Sequence, residues 1–346
     1  MENNKKKKVS WKRIVLVSLC VILSIILVLL IFAAVFMDRL LGSINRVDNS
    51  QTLSSSELEE LLRPDETREA DYTGPMFNED DITMPTENAE IIENEDIVNI
   101  LLLGQDRRGG TKNSLTDVMM LCTINTKTKT LTMTSFLRDL YLKIPGYYRG
   151  DKLNVAYPAG GFKMINDALE VNFGVKVDGN VEVDFSQFAK IIDLLGGIDI
   201  ELTGAEAGYM NACGFSVRSG MNHLNGDEAL QYSRIRYIDS DFYRTNRQRN
   251  VVTAILNQFR NASLGQLTDT LTGVLGMITT NMSDAEIMGY AVEFAPLLKD
   301  LNIQSQHIPV EGTYYYGDVK DQNIVDCIFI KDFETNRQLL ADTLKG

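Results

Sequence analysis

The sequence predicts an α/β domain with a mixed central β-sheet covered by helices on both faces, an α-β-α arrangement preceded by one transmembrane helix. Three observations carry this. A basic tail precedes an uncharged apolar stretch, residues 97–137 hold two continuous apolar runs and one alternating run, and strand and capped-helix patterns then take turns along the chain.

The composition sets the outer limits. A chain of 346 residues that is 44% hydrophobic can bury a full core. Its net charge of −13 opposes non-specific binding to nucleic acid, which needs a basic face to displace counterions. Any anion site must therefore be local.

The N-terminus reads as a membrane anchor. Lys5 to Lys8, Lys12 and Arg13 precede residues 14–37, which carry no charged side chain and exceed the roughly 20 residues needed to cross a bilayer as a helix. A cleaved signal peptide, with an apolar core of about 7 to 15 residues, is the alternative. The basic flank, residues 1–13, should stay in the cytoplasm, which puts everything after Met37 outside the cell. A tail that short is too small for a DNA-binding module.

Residues 38–96 read as an acidic stalk. Between Glu57 and Asp96 fifteen acids face two bases, Arg63 and Arg68, which accounts for the whole net charge. Ser56 and Glu59 have capping-box spacing ahead of a short helix, LEELL, that Pro64 would stop. Pro75 and Pro85 among the acids suggest an extended, solvated chain.

The globular part should run from 97 to 346. IVNILLLG (97–104) and VMMLCTIN (118–125) have the continuous apolar character of strands buried on both faces, and TLTMTSFL (130–137) alternates with period two after a TKTK turn. KMINDALEVNF (163–173) is a helix stopped by Gly174, and VEVDF (181–185) is a strand. SQFAKIIDLL (186–195) is a helix with Ser186 as its cap and Gly196-Gly197 as its stop, before the strand IDIEL. NGDEAL (225–230) starts a short helix, and YSRIR reads as extended, placing Arg234 and Arg236 on one side. DSDF is a turn, and a helix follows from about Phe242 through VVTAILNQF. Residues 263–346, with the strand IQSQHIPV and a last helix DFETNRQLLADTL, complete the fold.

One stretch, 232–250, holds five of the seventeen arginines. On the helix, Val251, Ile255 and Phe259 mark the inward stripe, and counting back by threes and fours gives Gln248 and Arg244, with Arg247 beside them. Cations at a helix N-terminus oppose the macrodipole, and a bound anion would reverse that argument. Pairing with Asp239, Asp241 and other surface carboxylates is the alternative. GQDRR (104–108), Asp117 and Arg138-Asp139 each fall at the end of a strand and can meet at one sheet edge, where ligand crevices commonly lie. Two carboxylates, Asp106 and Asp117, with several arginines suit a diphosphate and a hard divalent cation.

The order LLLGQDRR, Asp117, SFLRD, KLNVAYPAGG, VDF, LLGGIDI, LNGDEALQYSRIR and DFYRTNRQ resembles the LytR-CpsA-Psr family of wall-glycan ligases over residues 97–262. The resemblance implies an enzyme of Gram-positive envelopes. It would take a glycan phosphate from a polyprenyl pyrophosphate-linked glycan donor and join it to a peptidoglycan hydroxyl as a phosphodiester. Carried over by position, Asp106 and Asp117 would hold Mg²⁺ (or Mn²⁺), while Arg138, Arg234, Arg236, Arg244 and Gln248 would grip the pyrophosphate. Arg108 falls on the arginine of the G-x-D-x-R motif, and Arg247 precedes the matched Gln248. Asp241 matches a family aspartate that would act as a base or orient Arg244; an N-cap is its structural alternative. The family often has Pro where this chain has Leu137 and Gly where it has Tyr243; neither departure removes a charged group, and Tyr243 would narrow the site or alter the acceptor. Teichoic acid, capsule and other wall polymers share the carrier and pyrophosphate, so the motifs leave the polymer open.

A pyrophosphatase and a non-enzymatic lipid pyrophosphate receptor are the alternative functions. A transcriptional regulator conflicts with the expected topology. His223 and His307 have no recognisable catalytic partner, and neither G-x-S-x-G nor H-E-x-x-H occurs. Cys20 lies in the anchor and Cys122 in a buried strand, leaving Cys213 and Cys327 as a possible disulfide.

Overall fold

The computed structural model describes residues 38, 41–47, 75–107, 115–146, 150–236, 238–261, 270, 272–322 and 324–345. The expected anchor (14–37) and the LEELL helix lie outside them. Among the described residues no helix is long and apolar enough to cross a membrane. A first unit ends at Ile44, and the second, Asn45–Gly346, carries everything below.

Seven strands form the central sheet: β1 (Asn45–Arg46), β3 (Ile97–Gln105), β4 (Thr116–Asn125), β5 (Thr130–Phe136), β8 (Gly179–Asp184), β11 (Thr279–Thr280) and β12 (Asn302–Ile308). Their order is β1-β11-β8-β3-β4-β5-β12. β3 runs parallel to β8 and antiparallel to β4, and β5 is antiparallel to β4 and parallel to β12, so the sheet is mixed. This order brings the C-terminal ends of β3, β5 and β8 and the start of β4 to one edge.

Helices cover both faces. Leu101, Leu103, Met119 and Leu121 pack against α1 (Ala156–Phe173) and the last helix, Phe333–Lys345, in the largest core cluster. Met120, Cys122, Leu131 and Met133, on the opposite face, meet Val252 and Leu256 of the long helix Asp241–Asn261. Beside that helix, a third cluster joins α2 (Phe185–Leu194), the hairpin β9 (Ile198–Leu202) and β10 (Gly220–Leu224), α3 (Gly204–Ala212) and α4 (Gly226–Ser233). The long helix is therefore α5.

Local chemistry explains the element ends. Gly160 and Gly161 kink α1, and Gly161 has φ +64°, so the regular helical pattern of the sequence begins only beyond them. Gly174, at φ +70°, ends α1 in the left-handed region that glycine adopts without strain. Asp184, not Ser186, caps α2, its carboxylate accepting from the Ser186 and Gln187 N–H groups. Asn225 and Glu228 form the capping box of α4.

Three further expectations are corrected. Residues 75–96 are no free stalk: β2 (Met76–Phe77) pairs with β13 (Tyr314–Val319), Ile82 is buried, and Glu79 accepts from the Tyr141 hydroxyl and the Gly150 N–H. Tyr232 and Ser233 are helical, not extended, because α4 runs one turn further before Arg234 closes it. Cys213 and Cys327 are both free, Cys213 exposed after α3 and Cys327 buried in β14 (Ile324–Ile330), so no disulfide joins them. Burial pushes the Cys122 and Cys327 thiols up to about 12, which keeps both inert.

Candidate active site

Five backbone hydrogen bonds fix the segment that presents Arg138. Leu137 N–H donates to the Ile308 carbonyl, Leu140 N–H to Leu137, Asn154 N–H to Arg138, Leu153 N–H to Leu140, and Ile328 N–H to Asp139. The guanidinium of Arg138 then has one defined environment. Its Nη1 donates to Asp117 Oδ1 at 2.6 Å and its Nε to Asp139 Oδ2 at 3.1 Å. Burial works against the charge, but Asp139, Asp117 and Asp241 outweigh it and hold the pKa above the usual arginine value.

The other expected residues converge on this point from α4 and α5. Ile235 is fully buried between Arg234 and Arg236, so both arginines emerge on the site side even without a strand. Arg234 Nη2 lies 3.2 Å from Asp106 Oδ2, with its guanidinium 5.2 Å from the Phe185 ring centroid. Arg236 Nη2 lies 3.2 Å from Asp117 Oδ1, the oxygen that Arg138 also uses. Asp117 thus links two arginines from opposite sides of the site.

Arg244 is only 2% exposed and meets Asp241 Oδ2 at 2.7 Å through Nη2. Its Nε and Nη1 are buried with no hydrogen-bond partner. A buried guanidinium with unmet donors is costly unless a ligand supplies acceptors. Burial and the neighbouring Arg138 and Arg236, only partly offset by Asp241, lower its pKa to about 10. Asp241 itself is raised by burial, against the pull of Arg244 and Arg138. It is the first residue of α5 rather than its N-cap, since the Tyr243 and Arg244 N–H groups donate to the Ser240 carbonyl.

Arg247 does not join the group. Only 3% exposed, it donates from Nε to Glu206 Oε1 at 2.7 Å and from Nη1 to the Ile235 carbonyl and Asp239 Oδ1, each at 3.1 Å. It ties α5 to α3 and to the turn before α5, which corrects its expected place on the pyrophosphate. Replacing Glu206 by alanine is expected to cost about 3–5 kcal/mol of stability, because a buried cation loses a carboxylate partner. A chemical denaturation curve checks this, and donor affinity below the transition should stay unchanged. Arg108 lies outside the described residues.

Two neighbours carry no sequence signal strong enough to single them out. Lys152, from β7 (Gly150–Lys152), which pairs with β6 (Tyr141–Lys143), meets Asp139 Oδ1 at 2.9 Å and lengthens the ion chain. Its place in KLNVAYPAGG is the only hint. Arg249 is buried with Nη1 on the Ser135 hydroxyl at 2.8 Å, and burial lowers its pKa to about 10. Periodicity does not separate it from an exposed helix arginine.

Beneath the charges lies an apolar cavity of about 130 Å³ between the sheet and helices α2, α4 and α5. The strand register builds its floor. Val183, Gly104 and Val118 form one rung and Val181, Leu102 and Met120 the next, while Val251 and Val252 roof it. Gln248 lines it one helical turn below Arg244. Gly104 keeps the first rung open: a Cβ there would stand 2.9 Å from two Val118 carbons.

Among the described residues no group of three or more His, Cys, Asp or Glu side chains is placed to hold a metal. Asp106 and Asp117 offer hard oxygen donors, and Mg²⁺ commonly uses one or two carboxylates with phosphate oxygens and water. Five cationic side chains, Arg138, Lys152, Arg234, Arg236 and Arg244, face four carboxylates, Asp106, Asp117, Asp139 and Asp241. The cluster is nearly balanced, with one cation in excess.

Comparison with known proteins places the chain in a family. The family model described as the LytR_cpsA_psr family matches residues 65–328. A Bacillus licheniformis protein named "Polyisoprenyl-teichoic acid--peptidoglycan teichoic acid transferase TagU" is 34% identical over 237 residues, 66% of this chain and 76% of that one. Staphylococcus aureus "Regulatory protein MsrR" is 31% identical over 257 residues, 73% of this chain and 76% of its own. A solved structure titled "TagT bound to LIIa-WTA" superposes with a TM-score of 0.59 at 25% identity, covering 75% of this chain and 97% of that chain. The matched span takes in every strand and helix that builds the site, and the chain belongs to the LytR_cpsA_psr family.

Proposed function

We propose that this protein transfers a glycan phosphate from a polyprenyl pyrophosphate-linked wall polymer to a peptidoglycan hydroxyl. One observation supports it above the rest: a cluster of arginines, including a buried one with two unmet donors, adjoins an apolar cavity, whose lining includes Gln248, one turn from Arg244, and Phe185, over which Arg234 lies. An anionic head on an apolar chain fits such a place. The name of the Bacillus licheniformis relative supplies the reaction class.

In this mechanism the prenyl chain enters the cavity under α5, and the pyrophosphate lies among Arg138, Arg234, Arg236 and Arg244, with Gln248 beside the first carbons. The acceptor oxygen forms a bond to the glycan-bearing phosphorus as the bridging P–O bond breaks, and the electron pair leaves with polyprenyl phosphate. Charge spreading over the phosphoryl oxygens is met by fixed guanidinium donors. Asp241 takes the proton of the acceptor hydroxyl. Asp106 and Asp117 would hold Mg²⁺, which when bound would neutralise phosphate charge. Residues 14–37 anchor the chain, with residues 1–13 in the cytoplasm and the domain outside.

Asp241 gives a pH test. Its folded pKa lies above the ordinary carboxylate value, and only the ionised form is a base. As pH falls through that raised pKa, kcat/KM should fall, starting above the range of an exposed aspartate. Asp241→Asn should lower kcat/KM and remove this acid limb; an unchanged limb would assign it to another group. Binding is checked by titrating the protein with polyprenyl pyrophosphate, where Arg244→Ala should weaken affinity and an unaltered affinity would contradict the placement.

A further inference from the structure

Resting on the transfer reaction above, a second substrate must reach the phosphorus from outside the lipid cavity, and one wall of the site is aromatic there. Phe242 and Tyr243 immediately precede Arg244 on α5. The Phe242 ring lies 5.2 Å from that of Tyr314, which lies 5.5 Å from that of Tyr316 at an interplanar angle of 89°. Tyr314 and Tyr316 share one face of β13, whereas Tyr315 turns to the other and packs on Phe77 and Phe329.

Backbone bonds connect this wall to the charged site. Tyr316 is the cross-strand partner of Ile328, whose N–H donates to the Asp139 carbonyl at 2.8 Å, one residue beyond Arg138. Core packing does not account for Tyr316, which is 46% exposed, or for Tyr243 beside Arg244 on α5, which is 60% exposed. Exposed tyrosines offer an apolar ring face and a polar rim. A pyranose matches both, with its C–H face on the ring and its hydroxyls at the rim.

We propose that Tyr243, Tyr314 and Tyr316, backed by Phe242, form a shelf for a sugar ring of the acceptor glycan, holding it beside the arginines. Tyr243 and Tyr316 supply the accessible ring surface, and Tyr314 links them through Phe242 to α5. The donor also carries sugars, so the shelf must be tested for each substrate separately.

The test uses the full chain in detergent and soluble, uncross-linked peptidoglycan glycan oligomers, titrated calorimetrically with no donor present. Tyr243→Ala and Tyr316→Ala should each weaken oligomer binding about tenfold, the order expected for losing one aromatic contact. Tyr243→Trp and Tyr316→Phe should stay close to the parent, and affinity for lipid-linked donor should not change. Oligomer binding unaltered in both alanine variants would overturn the shelf while leaving the transfer reaction standing. A loss confined to donor binding, or no oligomer binding by the parent chain, would overturn it as well. In turnover, the alanine variants should raise the acceptor KM with kcat retained.

Discussion

Arg138→Ala is expected to lower transfer about 10²–10³-fold, the usual consequence of removing one preorganised charge-bearing donor. The reason is local. Arg138 touches both Asp117 and Asp139, its carbonyl accepts from the Asn154 N–H, and its neighbours Leu137 and Asp139 are bonded to Ile308 and Ile328. Truncation removes a guanidinium aimed at the developing phosphoryl charge and leaves two carboxylates facing the same anion. Arg138→Lys should recover only part of the loss, because an ammonium cannot reach both acids in the planar geometry of a guanidinium. The fold should persist, since Leu137 and Leu140, not the guanidinium, lock this segment into the core. Single-turnover rates with saturating donor check the effect, and a fall of less than about fivefold would remove Arg138 from the reaction.

Val252→Trp is expected to abolish the preference for a lipid-linked donor. Val252 roofs the cavity from α5, and an indole there would fill space that the first isoprene unit would occupy. Five buried carbons at about 0.8 kcal/mol each amount to about 4 kcal/mol, roughly a 10³-fold loss of donor affinity. A soluble sugar diphosphate without the prenyl chain should bind parent and variant equally, since the arginines are untouched. A variant that still bound the lipid-linked donor tightly would place the chain elsewhere. An unchanged denaturation midpoint would show that the larger residue is held without disrupting the core.

Much of the sheet was legible in the sequence because its signals are local. The apolar run 97–104 and the alternation of 130–137 appear as β3 and β5 with ends shifted by one residue. Residues 75–96 have the composition of a free stalk because their acids outnumber the few apolar side chains, Phe77 and Ile82 among them, that attach them to β13 and its neighbours. The site was legible to the extent that strand ends and helix starts carry charge. Arg244 and Arg247 both point inward from α5, but which carboxylate each meets depends on Asp239 in a turn and Glu206 on a helix far away in sequence. No periodicity encodes that choice. Lys152 shows the same limit, lying on a three-residue strand too short to have a pattern. In the sequence, apolar residues that line a cavity look the same as core residues, and only the strand register shows that Val181, Leu102 and Met120 line this one beside Gly104.

The most direct test of the central claim incubates the full chain in detergent with a synthetic polyprenyl pyrophosphate glycan, Mg²⁺ and peptidoglycan oligomers, followed by mass spectrometry of the products. The account predicts a phosphodiester-linked glycan-peptidoglycan product together with polyprenyl phosphate, formed by the parent and lost in Arg138→Ala and Arg236→Ala. Release of free glycan phosphate with no joined product would contradict it in favour of a hydrolase, and tight donor binding with no bond broken would leave a receptor.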